Sequence, residues 1–80
     1  MTILEDISSA VQRGKKKEVK PLVQQALYEG MEPTVILNEG LVPAMDIIGD
    51  KFSAGEVFVP EMLVAARAMA AGTQILQPYL

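Results

Sequence analysis

The 80-residue sequence predicts an all-α fold, an antiparallel four-helix bundle, on three observations. Apolar residues recur at the three- and four-residue spacing of a helix face, not in strict alternation. Three breaks, at Gly14-Lys15-Lys16, Gly30-Met31-Glu32-Pro33 and Ser53-Ala54-Gly55-Glu56, cut the chain into four segments. The connections between segments are short, which favours antiparallel neighbours in a bundle.

The first segment covers residues 3–13. Ile3, Ile7, Ala10 and Val11 form one stripe with Leu4 beside it, and Gly14 tolerates the left-handed conformation that stops a helix. The second covers residues 16–29, where Val19, Leu22, Val23, Ala26 and Leu27 repeat until Gly30. Pro21 removes a backbone donor, which is tolerated near a first turn, so this helix has room to begin near Glu18. The third covers residues 33–52. Pro33 suits a first helical position, and Val35, Ile36, Leu37, Leu41, Met45, Ile48 and Phe52 supply the stripe. Gly40 and Pro43 fall inside it. Because the stripe runs through them, a kink near Leu41 is expected rather than two helices. The fourth covers residues 60–78. Pro60 again reads as a first-turn proline, with Glu61 at the positive end of the helix dipole. Met62, Ala65, Ala66, Met69, Ala70, Thr73, Leu76 and Tyr79 are the expected inner faces, and Pro78 ends it. Val57, Phe58 and Val59 are β-formers, but three residues do not make a sheet.

Composition bounds the function. At 8.7 kDa and net charge −3, residues 1–80 make one small domain, with a core of aliphatic residues and methionine because only 5% of the chain is aromatic. No cysteine means no disulfide, no thiolate zinc ligand and no thiol nucleophile. No histidine removes the commonest general base and metal ligand. If the chain takes part in chemistry, it shapes a site whose reactive atoms lie elsewhere, and it carries no catalytic residue of its own. The N-terminal residues show neither a basic region nor an apolar core of a signal peptide, and no apolar run is long enough to span a membrane, so a cytoplasmic protein is expected. Glu39, Asp46 and Asp50 lie on the third segment, yet a carboxylate di-metal bundle needs Glu-x-x-His pairs that this chain lacks.

Arg13, Lys15, Lys16, Lys17 and Lys20 cluster against Glu18, while the rest of the chain is acidic, with only Lys51 and Arg67 as bases. The cluster reads as a solvated turn, or as a surface for phosphate or a partner's acidic face. No aromatic is interleaved with it, which argues against nucleic acid. The fourth segment is rich in Ala and Met on more than one face. Tight packing inside the bundle accounts for one such face, and another is expected to point outward onto a partner or ligand. Phe58, two residues before Pro60, either staples down onto its own helix or projects as a hydrophobic plug. Spacing alone leaves both open.

Ala26-Leu27-Tyr28-Glu29-Gly30, Ile36-Leu37-Asn38-Glu39-Gly40-Leu41-Val42-Pro43-Ala44-Met45, Ile48-Gly49-Asp50-Lys51-Phe52, Gly55-Glu56-Val57-Phe58-Val59-Pro60-Glu61-Met62-Leu63 and Ala65-Ala66-Arg67-Ala68-Met69 occur in that order. This combination resembles the helical cap domain of corrinoid proteins, including the cap module of cobalamin-dependent methionine synthase and the small corrinoid proteins of methanol and methylamine methyltransferase systems. The resemblance runs from about Leu4 to Leu80. It implies a downstream Rossmann-like domain that carries cobalamin and supplies the lower histidine ligand to cobalt. It also implies methyltransferase subunits as partners, and a cap that shields the upper face of methylcobalamin and swings aside for methyl transfer. Matched to the family's motif, Phe58 lies against the methyl ligand's surroundings, with Ala65 and Ala68 following on the helix and Met62 and Met69 flanking them. Gly14-Lys15 departs from the Gly-Asp found in many members, which makes the basic cluster a local feature. The alternative from a different class is a stand-alone helical interaction module that self-associates through its Ala/Met face.

Overall fold

A computed structural model describes residues 2–80 as α1 (Ile3–Gln12), α2 (Lys16–Tyr28), α3 (Pro33–Ile36), a π-helical turn (Leu37–Leu41), α4 (Val42–Ser53), α5 (Val59–Leu76) and a closing 3-10 turn (Gln77–Tyr79). Among the described residues no strand forms. Nor, among them, is any helix long and apolar enough to cross a membrane.

Thr2 and Glu5 start α1 with a reciprocal cap. The Glu5 amide donates to Thr2 Oγ1 at 3.2 Å, and the Thr2 amide donates to Glu5 Oε1 at 3.0 Å. The bond from the Thr2 backbone, and then the one from its side chain, hold the Glu5 carboxyl below its ordinary pKa. Each later break closes by one device. At the end of α1 the Gly14 amide donates to Val11 O and the Lys15 amide to Ala10 O, both at 2.9 Å, while Gly14 sits at φ +68°. The same pair of bonds recurs at Gly30-Met31 and at Gly55-Glu56. Gly14 meets a further demand, because a Cβ there would collide with Val64 Cγ1 of α5.

The α2 helix begins at Lys16, at the start of the expected segment and two residues before Glu18. Pro21 leaves the Lys17 carbonyl without its intrahelical donor, and both residues are exposed to water.

The third rod is continuous, as the unbroken stripe implies. Ile36, Leu37, Leu41 and Val42 all keep right-handed helical dihedrals. In place of a sharp break, the Val42 amide donates to Leu37 O, five residues back. In a regular helix the Pro43 ring would press on the Glu39 carbonyl, and the wider turn accommodates it. The wider turn also sets the register: Ile36 and Leu41, five apart, are both fully buried, and Ala44 and Ile48 continue the face. Phe52, expected in this stripe, instead leaves the core, 43% exposed at the last turn of α4.

Ile7, Ala10, Val11, Val19, Val23, Ala26, Ile36, Leu41, Ala44, Ala68 and Leu76 form the core. Lys16 lies beside Ala68, Val19 beside Gly72, and Leu27 near Ile75, so α2 and α5 run in the same direction, as second and fourth members of an up-and-down bundle do. Gly72 permits that approach, since a Cβ there would stand 2.9 Å from Leu41 Cδ2 and 3.0 Å from Val19 Cγ1.

The inward face of α5 is Ala65, Ala68, Ala71, Gly72 and Leu76. This corrects the expected inner set: Ala66, Ala70 and Tyr79 are exposed. A helix of small apolar residues carries little contrast between its sides, so the spacing alone could be placed on the wrong face.

Candidate functional site

The start of α5 is built by Phe58, Val59, Pro60 and Glu61. Phe58 precedes the helix in extended conformation, φ −114° and ψ 169°, and its amide donates to Glu61 Oε1 at 3.0 Å. Pro60 falls in the first turn, where no intrahelical donor is needed. This local chemistry holds the Phe58 backbone while its ring stands 68% exposed. Of the two orientations spacing left open, the ring adopts the outward one.

The outward face of α5 then continues at helical spacing through Val59, Met62 and Leu63, Ala66, Met69 and Ala70, and Thr73. Val59 and Leu63 are more than half exposed, while Met62 and Met69 are half-buried at the edge toward the core. Met45 of α4 joins Ala66, Met69, Ala70, Thr73, Gln74 and Gln77 in an open groove of about 490 Å³. The Thr73 hydroxyl donates to Met69 O at 3.0 Å, which satisfies its donor within the helix. Phe52 lies two turns beyond Met45 on the same side of α4 and is 43% exposed.

The structure therefore separates the five residues singled out from sequence. Phe58, Met62 and Met69 share the outward side. Ala65 and Ala68 are 0% exposed and packed inward, apart from the other three. Their neighbours Ala66 and Ala70, together with Leu63, are the exposed residues of this stretch. The 59-62/63-66-69/70-73 spacing was the available signal for this face, but the equally regular 65-68-72-76 series competes with it.

Nothing on this face resembles a reaction centre. The groove is lined by neutral side chains only. Among the described residues no three His, Cys, Asp or Glu side chains group to hold a metal ion, and no buried side-chain polar atom lacks a hydrogen-bond partner. Such a surface can cover, exclude water and fit an irregular apolar shape.

Comparison with known proteins gives this geometry a setting. Residues 3–77 match a family model described as B12 binding domain. The chain is 40% identical over 78 residues to monomethylamine corrinoid protein 1 of Methanosarcina acetivorans, covering 98% of this chain and 36% of that protein. It is 37% identical over 75 residues to dimethylamine corrinoid protein 2 of the same organism, covering 94% of this chain and 34% of that one. Among solved structures, Methanosarcina barkeri monomethylamine corrinoid protein superposes with a TM-score of 0.91 at 30% identity, over 95% of this chain and 36% of that chain. The chain thus spans about a third of the length of the relatives it matches.

Proposed function

We propose, from the premise that the chain belongs to the B12 binding domain family, that it is the helical cap of a corrinoid protein in a methylamine-type methyltransferase system. In this reading the outward side of α5 would cover and shield methylcobalamin, which a further domain would mainly hold. The chain is a carrier module rather than an enzyme, and its partners are that domain and methyltransferase subunits. Relatives named as methylamine corrinoid proteins support the setting.

The observation that carries the reading is Phe58, a ring held 68% exposed at the head of an exposed apolar face. Bound cobalamin supplies a methyl group on cobalt for transfer. Phe58, Met62, Leu63, Ala66, Met69 and Ala70 contribute contact and exclusion: they offer no acid or base, and they displace water from the surface they cover. Met62 and Met69 adapt to an irregular ring edge because their side chains are unbranched. The cap would then have to move aside for a methyl group to be transferred.

The test replaces the matched third of Methanosarcina acetivorans monomethylamine corrinoid protein 1 with this chain and loads the hybrid with methylcobalamin. Photolysis and aquation are followed by absorbance. Phe58→Ala is expected to raise both rates several-fold, while Tyr28→Ala, at the far end of α2 and almost fully exposed, leaves them unchanged. Equal rates for the parent hybrid and the Phe58 variant would count against the shield.

The same exposed face favours one other reading, a module that pairs with a second copy. Sedimentation of the isolated chain separates the two. A monomer whose α5 amide resonances shift on adding methylcobalamin supports the cap. A tight dimer through Leu63 and Ala66 with no such response supports the module.

A further inference from the structure

We infer that the cap carries another working face, a cationic docking surface for an acidic protein partner, built where the α1–α2 corner meets the middle of α5. Residues 13–20 carry five cations against one carboxylate, a net +4, so the rest of the chain carries −7 to reach its overall −3. The fold adds to this corner a cation from far along the chain. Lys16 and Arg67 wall one concavity together with Gly14, Val64 and Ala68. A neighbouring concavity takes Arg13, Lys15, Pro60 and Glu61, again with Gly14 and Val64.

Val64 is thus the common wall of both hollows. It is 44% exposed, seated against Gly14, and flanked by cations on either side. An apolar knob inside a charged rim is the usual build of a protein contact. The cations are also not all consumed internally. Arg13 is tied to Glu18, its two terminal nitrogens donating to the carboxylate at 3.3 and 3.1 Å and its Nε donating to Ser9 Oγ at 3.3 Å. Among the described residues that is the one salt bridge, so Lys15, Lys16 and Arg67 stand without a carboxylate at ion-pair distance.

The chemistry selects a protein carboxylate surface over nucleic acid. No aromatic side chain lines either hollow to stack on a base, and the acidic remainder of the chain opposes a long phosphate backbone. Placement selects a partner that can bind while the cap is seated. Val64 lies on a side of α5 away from Met62, Ala66 and Met69, and Arg67 stands at the boundary beside Leu63, so Lys15, Lys16 and Val64 stay open when the apolar face is covered. The inference goes beyond the cap reading and does not need it, because the two faces share no exposed side chain.

The test titrates the isotopically labelled chain with a short poly-glutamate peptide, followed by amide chemical shifts. Shifts are expected to centre on Lys15, Lys16, Val64 and Arg67 and to weaken as salt is raised. Lys16→Glu/Arg67→Gln should weaken binding about tenfold or more, whereas Gln24→Glu/Lys51→Glu, with the same change in net charge outside both hollows, should weaken it far less. Circular dichroism checks helicity, and Lys16→Gln/Arg67→Gln serves if charge reversal unfolds the bundle. Equal losses in the two pairs overturn the inference, since net charge alone would then explain binding. So does a DNA duplex that binds as tightly as the peptide, or an absence of shifts. Methylcobalamin protection in the hybrid is expected to survive Lys16→Glu/Arg67→Gln, which keeps failure here separate from failure of the cap.

Discussion

At the scale of single residues, the molecule turns on where small side chains are obligatory. Gly14 satisfies two constraints: its φ of +68° lies in the left-handed region, and Val64 occupies the space a Cβ would need. Gly30, at φ +89°, has only the first, because nothing stands within 4 Å of its absent Cβ. Gly30→Ala should therefore cost about 1–2 kcal/mol of conformational strain. Gly14→Ala should cost that plus about 1–3 kcal/mol for displacing Val64. Urea unfolding of the two variants checks the difference, and equal midpoints would show that Val64 yields freely. Leu41, fully buried beside Gly72, is expected to lose about 2–5 kcal/mol on truncation to Ala by the same measurement. Glu5 gives a pH-dependent prediction. Its folded pKa is depressed by Thr2, so its contribution is present above the ordinary carboxylate value and fades as pH falls through the folded one. The parent chain should lose stability over that acidic window, and Glu5→Gln should flatten the loss.

At the scale of elements, α5 is divided into three sides. One side, Ala65, Ala68, Gly72 and Leu76, is consumed by the core. Another carries Met62, Leu63, Ala66 and Ala70 outward, and a third offers Val64 and Arg67 to the α1–α2 corner. Because the methyl groups of Ala65 and Ala66 differ only in which way they face, Ala66→Glu and Ala65→Glu make a sharp pair. Ala66→Glu should leave helicity and unfolding nearly unchanged and lower protection of methylcobalamin in the hybrid. Ala65→Glu should unfold the bundle, since it would bury an unpartnered carboxylate. The π turn is the other element with consequences. It turns a five-residue separation, Ile36 to Leu41, into a single buried face, and the stripe beyond Pro43 depends on it. Helical spacing in the sequence located the rod and its continuity through Pro43. The extra residue per turn was illegible there, because proline signals a disturbance without specifying whether the backbone kinks or widens.

At the scale of the whole molecule, the bundle is slim, 38 × 21 × 19 Å, with a radius of gyration of 11.9 Å, close to the roughly 12 Å of a compact chain this long. A core so small leaves a thin margin of stability, so covering the outer face of α5 should raise it measurably. The isolated chain is expected to melt lower than the same segment within the methylcobalamin-loaded hybrid. Loss of that difference on Phe58→Ala would tie the gain to the capped surface. The charge distribution is equally a property of the whole: a +4 corner on a −3 chain orients the molecule toward an acidic partner before contact.

The sequence by itself determined the four helical rods, their three glycine turns, the first-turn roles of Pro33 and Pro60, and the ordered motifs of a corrinoid-protein cap, because spacing, capping and turn chemistry are local. Tertiary structure alone decided which side of α5 is covered, that the Phe58 ring stands outward, and that Arg67 joins Lys16 from the far end of the chain. The reason is common to all three. Alanine and methionine on every side of a helix leave its energy nearly indifferent to rotation. Only contact with Leu41, Val19 and Gly14, all distant in sequence, sets which face turns in.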